Sequence, residues 1–264
     1  MRPILLLLPA LAVAVEVEAA KLATPDAMPL DPGSVELALG LSWARSRDVY
    51  DDAGDRQDRG GTLAERTFEA GATLGIREGL DAGITLGWAH IRDDAADPDS
   101  GTGPTDITLG AKWQFFANET AAVALLPELS IPVGDGRPED EISTGSEEWG
   151  IGLTVAATVA IERLALGAAI GRGWILDDGD ERGAWAIDIA AGWQLSEAIQ
   201  PEIELHHARD VDTGDAPEAR QTSVTLGMQL SGSAGRLGLG IDRVIAGQNA
   251  ERATTLLVQA VTAF

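Results

Sequence analysis

The sequence contains no cysteine, few basic residues and, beyond its N-terminus, no long uncharged hydrophobic run. The lack of cysteine excludes a disulfide scaffold, a thiolate metal site and a cysteine nucleophile. Lysine and arginine number 19 against 42 acidic residues, a net charge of −23, which argues against nucleic-acid binding because phosphates attract basic side chains. Since no later stretch reaches about 18 apolar residues, membrane-spanning helices are not predicted.

The N-terminus has the features of a secretory signal peptide. Arg2 is followed by an uncharged apolar run from Pro3 to Val15 and then by small residues at Val17 and Ala19. We predict a signal peptide over residues 1–19 and an extended, proline-containing lead-in over residues 20–33. The alternative, a short anchor helix, is disfavoured because the run is shorter than the about 20 residues that a membrane span needs.

Apolar and polar residues alternate in twelve segments between residue 34 and the C-terminus. From Trp149 to Ile161, for example, every second residue is apolar, which is the period of a β-strand with two different faces. Short turns such as Glu162–Arg163 alternate with long acidic connections such as Arg47–Arg66 and Gly134–Glu148. This alternation, with an even number of strands, is typical of an outer-membrane barrel with both termini in the periplasm. We therefore predict an all-β fold, a 12-stranded antiparallel transmembrane β-barrel that forms one domain over residues 34–264.

The tryptophans favour this barrel over a soluble sandwich or propeller, whose repeats can have a similar length. In a soluble sandwich they would be scattered through a core, whereas here they lie on the apolar side of the strands and near the strand ends. That is the pattern of the aromatic girdles at the two membrane surfaces. The predicted extracellular girdle consists of Trp43, Trp88, Trp149, Trp174 and Trp185. The predicted periplasmic girdle consists of Trp113, Phe115, Trp193 and the C-terminal Phe264.

The opposite side of the strands is small and polar, as expected for a wet lumen. The predicted lumen-lining residues are nine acids, one lysine and one histidine: Glu36, Glu69, Asp81, Asp106, Lys112, Glu128, Asp188, Glu202, Glu204, His206 and Asp242. Because rings of carboxylates favour cations, we predict a weak preference for cations or neutral solutes. A helical hairpin over residues 149–174 is rejected, since it would place Glu162 and Arg163 in its middle.

Three stretches carry a resemblance to a known family: Gly75–Ile84, Thr105–Trp113 and Pro127–Asp135. Together they resemble the outer-membrane β-barrel transporters of the MetA pathway of phenol degradation, most clearly over residues 70–210. Val133 stands where a threonine is expected in that family. The resemblance implies an outer-membrane barrel and the passage of aromatic compounds, and it identifies the type of barrel better than the substrate.

No catalytic or metal-binding constellation is predicted. None of the three histidines has a serine two positions away, the arrangement used by outer-membrane hydrolases. His206 and His207 point to opposite faces of a strand and cannot chelate one metal together, although His206 with Glu202 and Glu204 leaves a lumenal cation site open. The stretch from Asp97 to Gly101 is similar to a calcium loop but lacks the required bidentate glutamate. We predict no enzyme activity, no metal and no cofactor.

Two functions from different classes follow from the sequence. The first is an outer-membrane channel for the passive passage of small solutes, including hydrophobic or aromatic compounds. The second is a structural or surface-interaction barrel whose acidic loops bind divalent cations or lipopolysaccharide without transport. The predicted partners are outer-membrane lipid, lipopolysaccharide, a small solute and the barrel-assembly machinery, which would recognise the C-terminal Phe264.

Overall fold

A computed structural model describes residues 22–95, 99–133, 142–146, 148–176, 182–211 and 218–264. The predicted signal peptide and the first two residues of the lead-in lie outside the described residues. In the described part of the chain, no helix is long and apolar enough to cross a membrane. All of the regular structure there is β-strand.

Twelve long strands and two short ones are described. In chain order they are β1 (Val35–Tyr50), β2 (Arg56–Arg77), β3 (Leu80–Asp93), β4 (Asp99–Pro104), β5 (Ile107–Ala117), β6 (Ala121–Ile131), β7 (Trp149–Ile161), β8 (Leu164–Leu176), β9 (Arg182–Trp193), β10 (Ile199–Val211), β11 (Arg220–Gly232), β12 (Gly235–Gln248), β13 (Ala250–Glu251) and β14 (Thr254–Ala263).

Consecutive long strands pair in antiparallel fashion, and β1 pairs with both β2 and β14. This last pairing closes the sheet and leaves the barrel without a free edge. The two short strands are not part of the ring of twelve. β4 pairs with the part of β3 that extends past β5, and β13 pairs with the end of β1. The prediction of a 12-stranded antiparallel barrel is confirmed.

The two ends of the barrel differ in their connections. At one end, here called the short-turn end, strands are joined by tight turns such as Glu78–Gly79 and Glu162–Arg163. The first strand and the chain terminus also meet there, since Val35 and Phe264 exchange backbone hydrogen bonds of 3.1 and 2.9 Å. The opposite end, with the longer connections, is called the long-loop end.

The connection predicted as a long loop over residues 47–66 contains more strand than expected. β1 runs to Tyr50 and β2 begins at Arg56, so that only residues 51–55 of the predicted loop 47–66 form the turn. A strand needs about 9–11 residues to cross the membrane, and the excess length of β2 therefore projects beyond it. Charged side chains do not prevent strand pairing in this projection, because the two backbones satisfy each other's hydrogen bonds.

Polar contacts stabilise this projecting hairpin. At its tip, hydrogen bonds from the Gln57 side chain and the Asp55 N–H hold the pKa of the Asp51 carboxyl below its usual value. At its base, the Arg59 guanidinium donates to both carboxylate oxygens of Asp93, and its Nε lies 2.8 Å from Oε1 of Glu251. Arg59 therefore ties β2 to β3 and β13.

Side chains alternate between two faces along every long strand. The outer face carries large apolar residues, such as Ile189 with 53% and Leu226 with 60% of its surface exposed. The inner face carries small or polar residues, and Glu204 there is fully buried. This inside-out arrangement is that of a membrane barrel, with lipid as the solvent of the apolar face.

Candidate functional site

The interior of the barrel contains part of the chain itself. Residues 22–33, called here the inserted segment, have no regular secondary structure and precede β1 at the short-turn end. The segment bonds to Asp81 on β3 and to Glu204 on β10, which are six positions apart in the ring of twelve strands. The two residues therefore lie on opposite walls, and the segment crosses the full width of the lumen.

Glu204 anchors one side of the inserted segment. Its carboxylate accepts the backbone N–H of Leu22 at 2.7 Å and that of Thr24 at 2.6 Å. The Thr24 hydroxyl adds a third hydrogen bond of 2.6 Å, and the Ala23 N–H lies within 3.3 Å of both oxygens. Three successive N–H groups thus surround one carboxylate, which is a strong, charge-assisted arrangement.

Lys112 on β5 anchors the middle of the segment. Its ammonium lies 3.0 Å from Oδ1 of Asp26 and donates to the Met28 carbonyl at 3.0 Å. The side chains of this ion pair are 3% and 0% exposed. A buried charge without a partner is costly, so the pair couples the position of the segment to that of the wall.

Three further wall residues bind the backbone of the segment. The Ala27 N–H donates to Thr158 at 3.0 Å, and the Ala27 carbonyl accepts from the Gln114 amide at 3.0 Å. The Leu30 N–H donates to Asp81 at 3.1 Å. These contacts come from β7, β5 and β3. Together with Lys112 and Glu204, they provide hydrogen-bond partners for backbone groups of the segment that are not paired in the sheet.

Small residues on the wall make room for the segment. Ala27 packs in a buried cluster with alanines of three neighbouring strands, Ala122, Ala124, Ala156 and Ala169. Across the lumen, a Cβ added to Gly227, Gly238 or Gly240 would lie 2.2–2.6 Å from the side chain of Leu22. The glycines of β11 and β12 therefore form the pocket that holds the first described residue of the chain.

Gly75 marks the place where the segment leaves the lumen. A Cβ at this position would lie 2.0 Å from the carbonyl oxygen of Asp31. The Gly75 carbonyl accepts the Gly33 N–H at 2.8 Å, and the Gly75 N–H donates to the Ser34 carbonyl at 2.9 Å. Here the contact is backbone against backbone, so only glycine fits.

Above the inserted segment, polar side chains of four strands form a connected group. His206 contacts Asp188 through Nδ1 at 2.9 Å and Thr225 through Nε2 at 3.2 Å. The Thr225 hydroxyl lies 2.9 Å from Asp242. His206 Nε2 is also 3.7 Å from Glu204, which links the group to the anchor of the segment. The structure thus brings four predicted lumen residues into one network.

The other predicted lumen residues occupy different levels of the inner face. Glu36 is buried near the short-turn end, and Glu202 accepts a 3.2 Å hydrogen bond from Gln229 on β11. Glu69 and Glu128 are half-buried on β2 and β6, at levels between the two ends. Asp106 lies at the long-loop end, where it accepts the backbone N–H of Ser146 at 3.0 Å.

Part of the connection between β6 and β7 folds against the inner face at the long-loop end. Ile142 packs on a buried cluster formed by Leu63, Ala89 and Ile91. The Thr144 hydroxyl donates to the Pro104 carbonyl at 2.8 Å, and Ser146 binds Asp106 as described above. Residues 142–146 and the inserted segment therefore narrow the lumen from opposite ends.

The aromatic residues predicted as girdles lie on the outer face in two groups. Six of the seven tryptophans are 42–53% exposed, while Trp174 is half-buried. Trp113 and Trp193 pair with the first residues of β3 and β8, next to tight turns, and Phe264 is 76% exposed at the same end. The remaining five lie towards the long-loop end: Trp43, Trp88, Trp149, Trp174 and Trp185.

Sequence reasoning did not find the inserted segment. The available signals were the inward-facing alanines of β6 to β8 and the glycines of β11 and β12, which leave space that an empty barrel does not require. The cation site considered around His206 is not formed, because Glu204 is occupied by the segment. Among the described residues, no group of three or more His, Asp or Glu side chains is arranged to hold a metal ion.

Comparison with solved structures identifies the fold. An outer membrane channel from Pseudomonas putida F1 superposes with a TM-score of 0.81 and 17% identity, over 90% of this chain and 98% of that one. The translocator domain of the autotransporter NalP from Neisseria meningitidis gives 0.54 and 12% identity, over 89% and 90% of the two chains. The CymD monoaromatic hydrocarbon channel gives 0.51 and 9% identity, over 89% of each chain. No curated protein sequence matches.

These likenesses assign the fold of outer-membrane β-barrels. A family model also matches residues 52–245, which is most of the chain and includes ten of the twelve barrel strands in whole or in part. The chain therefore belongs to the family described as "Putative MetA-pathway of phenol degradation".

Proposed function

We propose that this protein is an outer-membrane channel for the passive passage of small solutes, closed in the present state by its own inserted segment. The observation that carries the proposal is the crossing of the lumen between Asp81 and Glu204 by a segment without strand pairing. In this proposal the short-turn end faces the periplasm, the long-loop end faces the cell exterior, and residues 1–19 are removed on export.

The inserted segment is held in a way that permits its release. Its anchors are side chains, chiefly Glu204, Lys112 and Asp81, and no ladder bonds need to break within the barrel wall. A segment outside the strand ladder opens at a lower free energy than the core strands around it. After release, the same carboxylates would face water and line an aqueous path.

The class of solute is inferred from family and barrel size. The family takes its description from phenol degradation, and a fold relative is a monoaromatic hydrocarbon channel. A barrel of twelve strands is wider than the filled eight-stranded barrels and narrower than the sixteen-stranded porins. Small aromatic compounds fit this range, and the predominance of inner-face acids over Lys112 favours neutral or cationic solutes over anions.

Planar-bilayer recording tests the proposal directly. Wild-type protein is compared with a variant that lacks residues 22–33 and retains the export signal. We expect small or rare conductance steps for the wild type and larger, sustained steps for the deletion variant. Liposomes that contain the deletion variant should also take up phenol faster than they take up benzoate of similar size. A folded deletion variant without conductance would contradict the proposal and support a barrel without transport.

The remaining partners belong to the same proposal. Among the described residues, Phe264 is the most exposed large hydrophobic residue, and we propose that the barrel-assembly machinery recognises it at the short-turn end. Substitution Phe264→Ala should then lower the amount of protein assembled in the outer membrane, while refolding in detergent remains unchanged. No enzyme activity is proposed, because transport requires none of the side chains to react.

A further inference from the structure

Among the residues that the structure describes, seven arginines lie on the outer face of the barrel near the long-loop end. They form what is here called the arginine belt: Arg45, Arg66, Arg92, Arg172, Arg209, Arg220 and Arg243. They represent more than a third of the 19 basic residues in a chain of net charge −23. At the short-turn end, by contrast, exposed arginines occur at the turns, at Arg77 and Arg163.

The belt is densest across β8 to β11. Arg172 pairs with Trp185, Trp185 pairs with Arg209, and Arg209 pairs with Arg220 in the strand register. Directly paired residues point to the same face, so these four side chains form one row on the outer surface. Adjacent strands are about 4.8 Å apart, which places three guanidinium groups within a short arc.

The neighbouring tryptophans indicate the depth of this row in the membrane. The guanidinium carbon of Arg172 lies 5.7 Å from the ring centre of Trp174 and 5.5 Å from that of Trp185, within the range of cation–π contacts. Tryptophan on the outer face of a membrane barrel marks the level of the lipid headgroups. The arginines therefore lie at headgroup level, where a charge on the lipid-facing side is tolerated, rather than at the bilayer centre.

The carboxylates of the described residues form ion pairs with some of these arginines and not with others. Arg209 and Arg220 are like charges directly opposite each other, an arrangement that destabilises a sheet when nothing neutralises it. Glu218 lies 2.7 Å from Arg209, and Asp94 lies 2.6 Å from Arg92. Among the residues that the structure describes, no carboxylate forms an ion pair with Arg45, Arg66 or Arg220. Arg220 therefore contributes a positive charge to the row that an external anion at headgroup level would neutralise.

We propose that the row Arg172–Trp185–Arg209–Arg220 is a binding site for the phosphate groups of lipopolysaccharide in the outer leaflet. Guanidinium groups bind phosphate in a bidentate manner and at low cost of desolvation, which lysine does less well. The acyl chains of the same lipid would cover the apolar outer surface below the row, formed by residues such as Ile170, Ile187 and Leu205. The site lies outside the lumen and rests on the proposed orientation of the barrel, not on transport.

The test uses full-length mature protein in detergent and purified rough-type lipopolysaccharide. Binding is compared for wild type, Arg209→Gln/Arg220→Gln and the matched control Arg77→Gln/Arg163→Gln. Loss of two charged contacts should weaken binding by about 10-fold or more, whereas the control should bind as the wild type does. Arg209→Lys/Arg220→Lys keeps the charge and should retain part of the affinity. Heat-modifiable migration on gels verifies that each variant is folded.

Two lipids separate the possible sources of phosphate. Lipopolysaccharide from which the lipid A phosphates have been removed should bind the wild type no better than the double glutamine variant. Phosphatidylglycerol should compete poorly at equal phosphate concentration. Equal binding by the double glutamine variant, or equal binding of the dephosphorylated lipid, would overturn the proposal. Effective competition by phosphatidylglycerol would replace it by a general anionic-lipid site. Conductance in a phospholipid bilayer without lipopolysaccharide reports on the channel separately.

Discussion

The ammonium of Lys112 and the carboxylate of Asp26 meet inside the barrel at 3.0 Å, one on the wall and one on the inserted segment. Both side chains are almost completely buried. Their attraction is therefore little screened by water, and bulk water could not replace either partner if the other were removed. This pair gives the inserted segment a fixed position along the lumen, which hydrogen bonds to a flexible chain alone would not do.

Substitution Lys112→Met should loosen the inserted segment. Removal of one partner of a buried ion pair costs about 3–5 kcal/mol, and undocking of the segment returns Asp26 to water. The chain has no cysteine, so a single Ala23→Cys substitution introduces a unique reporter on the segment. We expect faster reaction of this thiol with a water-soluble maleimide and a higher open probability in planar bilayers.

The double variant Lys112→Met/Asp26→Asn provides the control for this prediction. It removes both charges of the ion pair, so the Met28 contact is lost but neither member of the pair is left buried without the other. Its labelling rate should lie between those of the wild type and Lys112→Met. If the single and double variants react equally fast, the ion pair does not position the segment.

The barrel could be predicted from the sequence because its signals are local and repeated. Each strand carries its own alternation of apolar and polar residues, and the tryptophans mark its ends. The position of the inserted segment depends instead on contacts between distant residues, such as Thr24 with Glu204, which are 180 positions apart. The alternation of apolar and polar residues along the sequence does not indicate such a contact. Lys112 was nevertheless predicted as the basic residue of the lumen, and it proves to be a central anchor.

Glu204 is expected to be the strongest single hydrogen-bonding anchor. Substitution Glu204→Gln removes the negative charge that three successive N–H groups face, and it replaces one acceptor oxygen by a donor. Hydrogen bonds to a charged group are worth about 1.5–3 kcal/mol each, so docking should weaken by at least that amount. The Ala23→Cys reporter should react more than about 10-fold faster.

Glu69→Gln is the matched control for Glu204→Gln. Glu69 lies on the inner face of β2, where no contact with the inserted segment is found among the described residues. The substitution changes the charge of the lumen equally but should leave the labelling rate unaltered. A similar acceleration in both variants would show that net lumenal charge, and not the Glu204 contact, determines docking.

The apolar cluster at the long-loop end should contribute to the stability of the barrel. Leu63 is 7% exposed and packs with Ala89, Ile91 and Ile142 on the inner face. Substitution Leu63→Ala leaves a cavity that neither lipid nor protein refills, and it should lower the free energy of unfolding by about 2–3 kcal/mol. Urea unfolding in lipid vesicles, followed by tryptophan fluorescence, measures this change.

Leu74→Ala on the same strand serves as the comparison for Leu63→Ala. Leu74 lies on the outer face, 49% exposed to what is lipid in the membrane, and mobile acyl chains refill the space of the missing methyl groups. We therefore expect a clearly smaller loss of stability. Equal losses for both variants would indicate that the inner cluster is not close-packed and does not hold residues 142–146.

The boundaries of the loops were predicted less well than the strands, for a physical reason. Residues 47–50 and 56–65 are largely polar and charged, a composition that indicates a loop, yet they pair as a hairpin above the membrane. Arg59 stabilises this pairing through ion pairs with Asp93 and Glu251, which are far from it in sequence. The composition of a segment indicates whether it lies in water. Its strand pairing depends on a neighbouring segment, which composition does not identify.

Gly75→Ala tests the backbone contact at the point where the segment leaves the lumen. The added Cβ would lie 2.0 Å from the Asp31 carbonyl, and a main-chain atom cannot rotate away. The segment must therefore shift, and both Ala23→Cys labelling and conductance should increase. Gly110→Ala is the matched control on the inner face of β5, since its Cβ would meet nothing within 4 Å. Folded Gly75→Ala protein with wild-type labelling and conductance would show that the segment does not occupy this path.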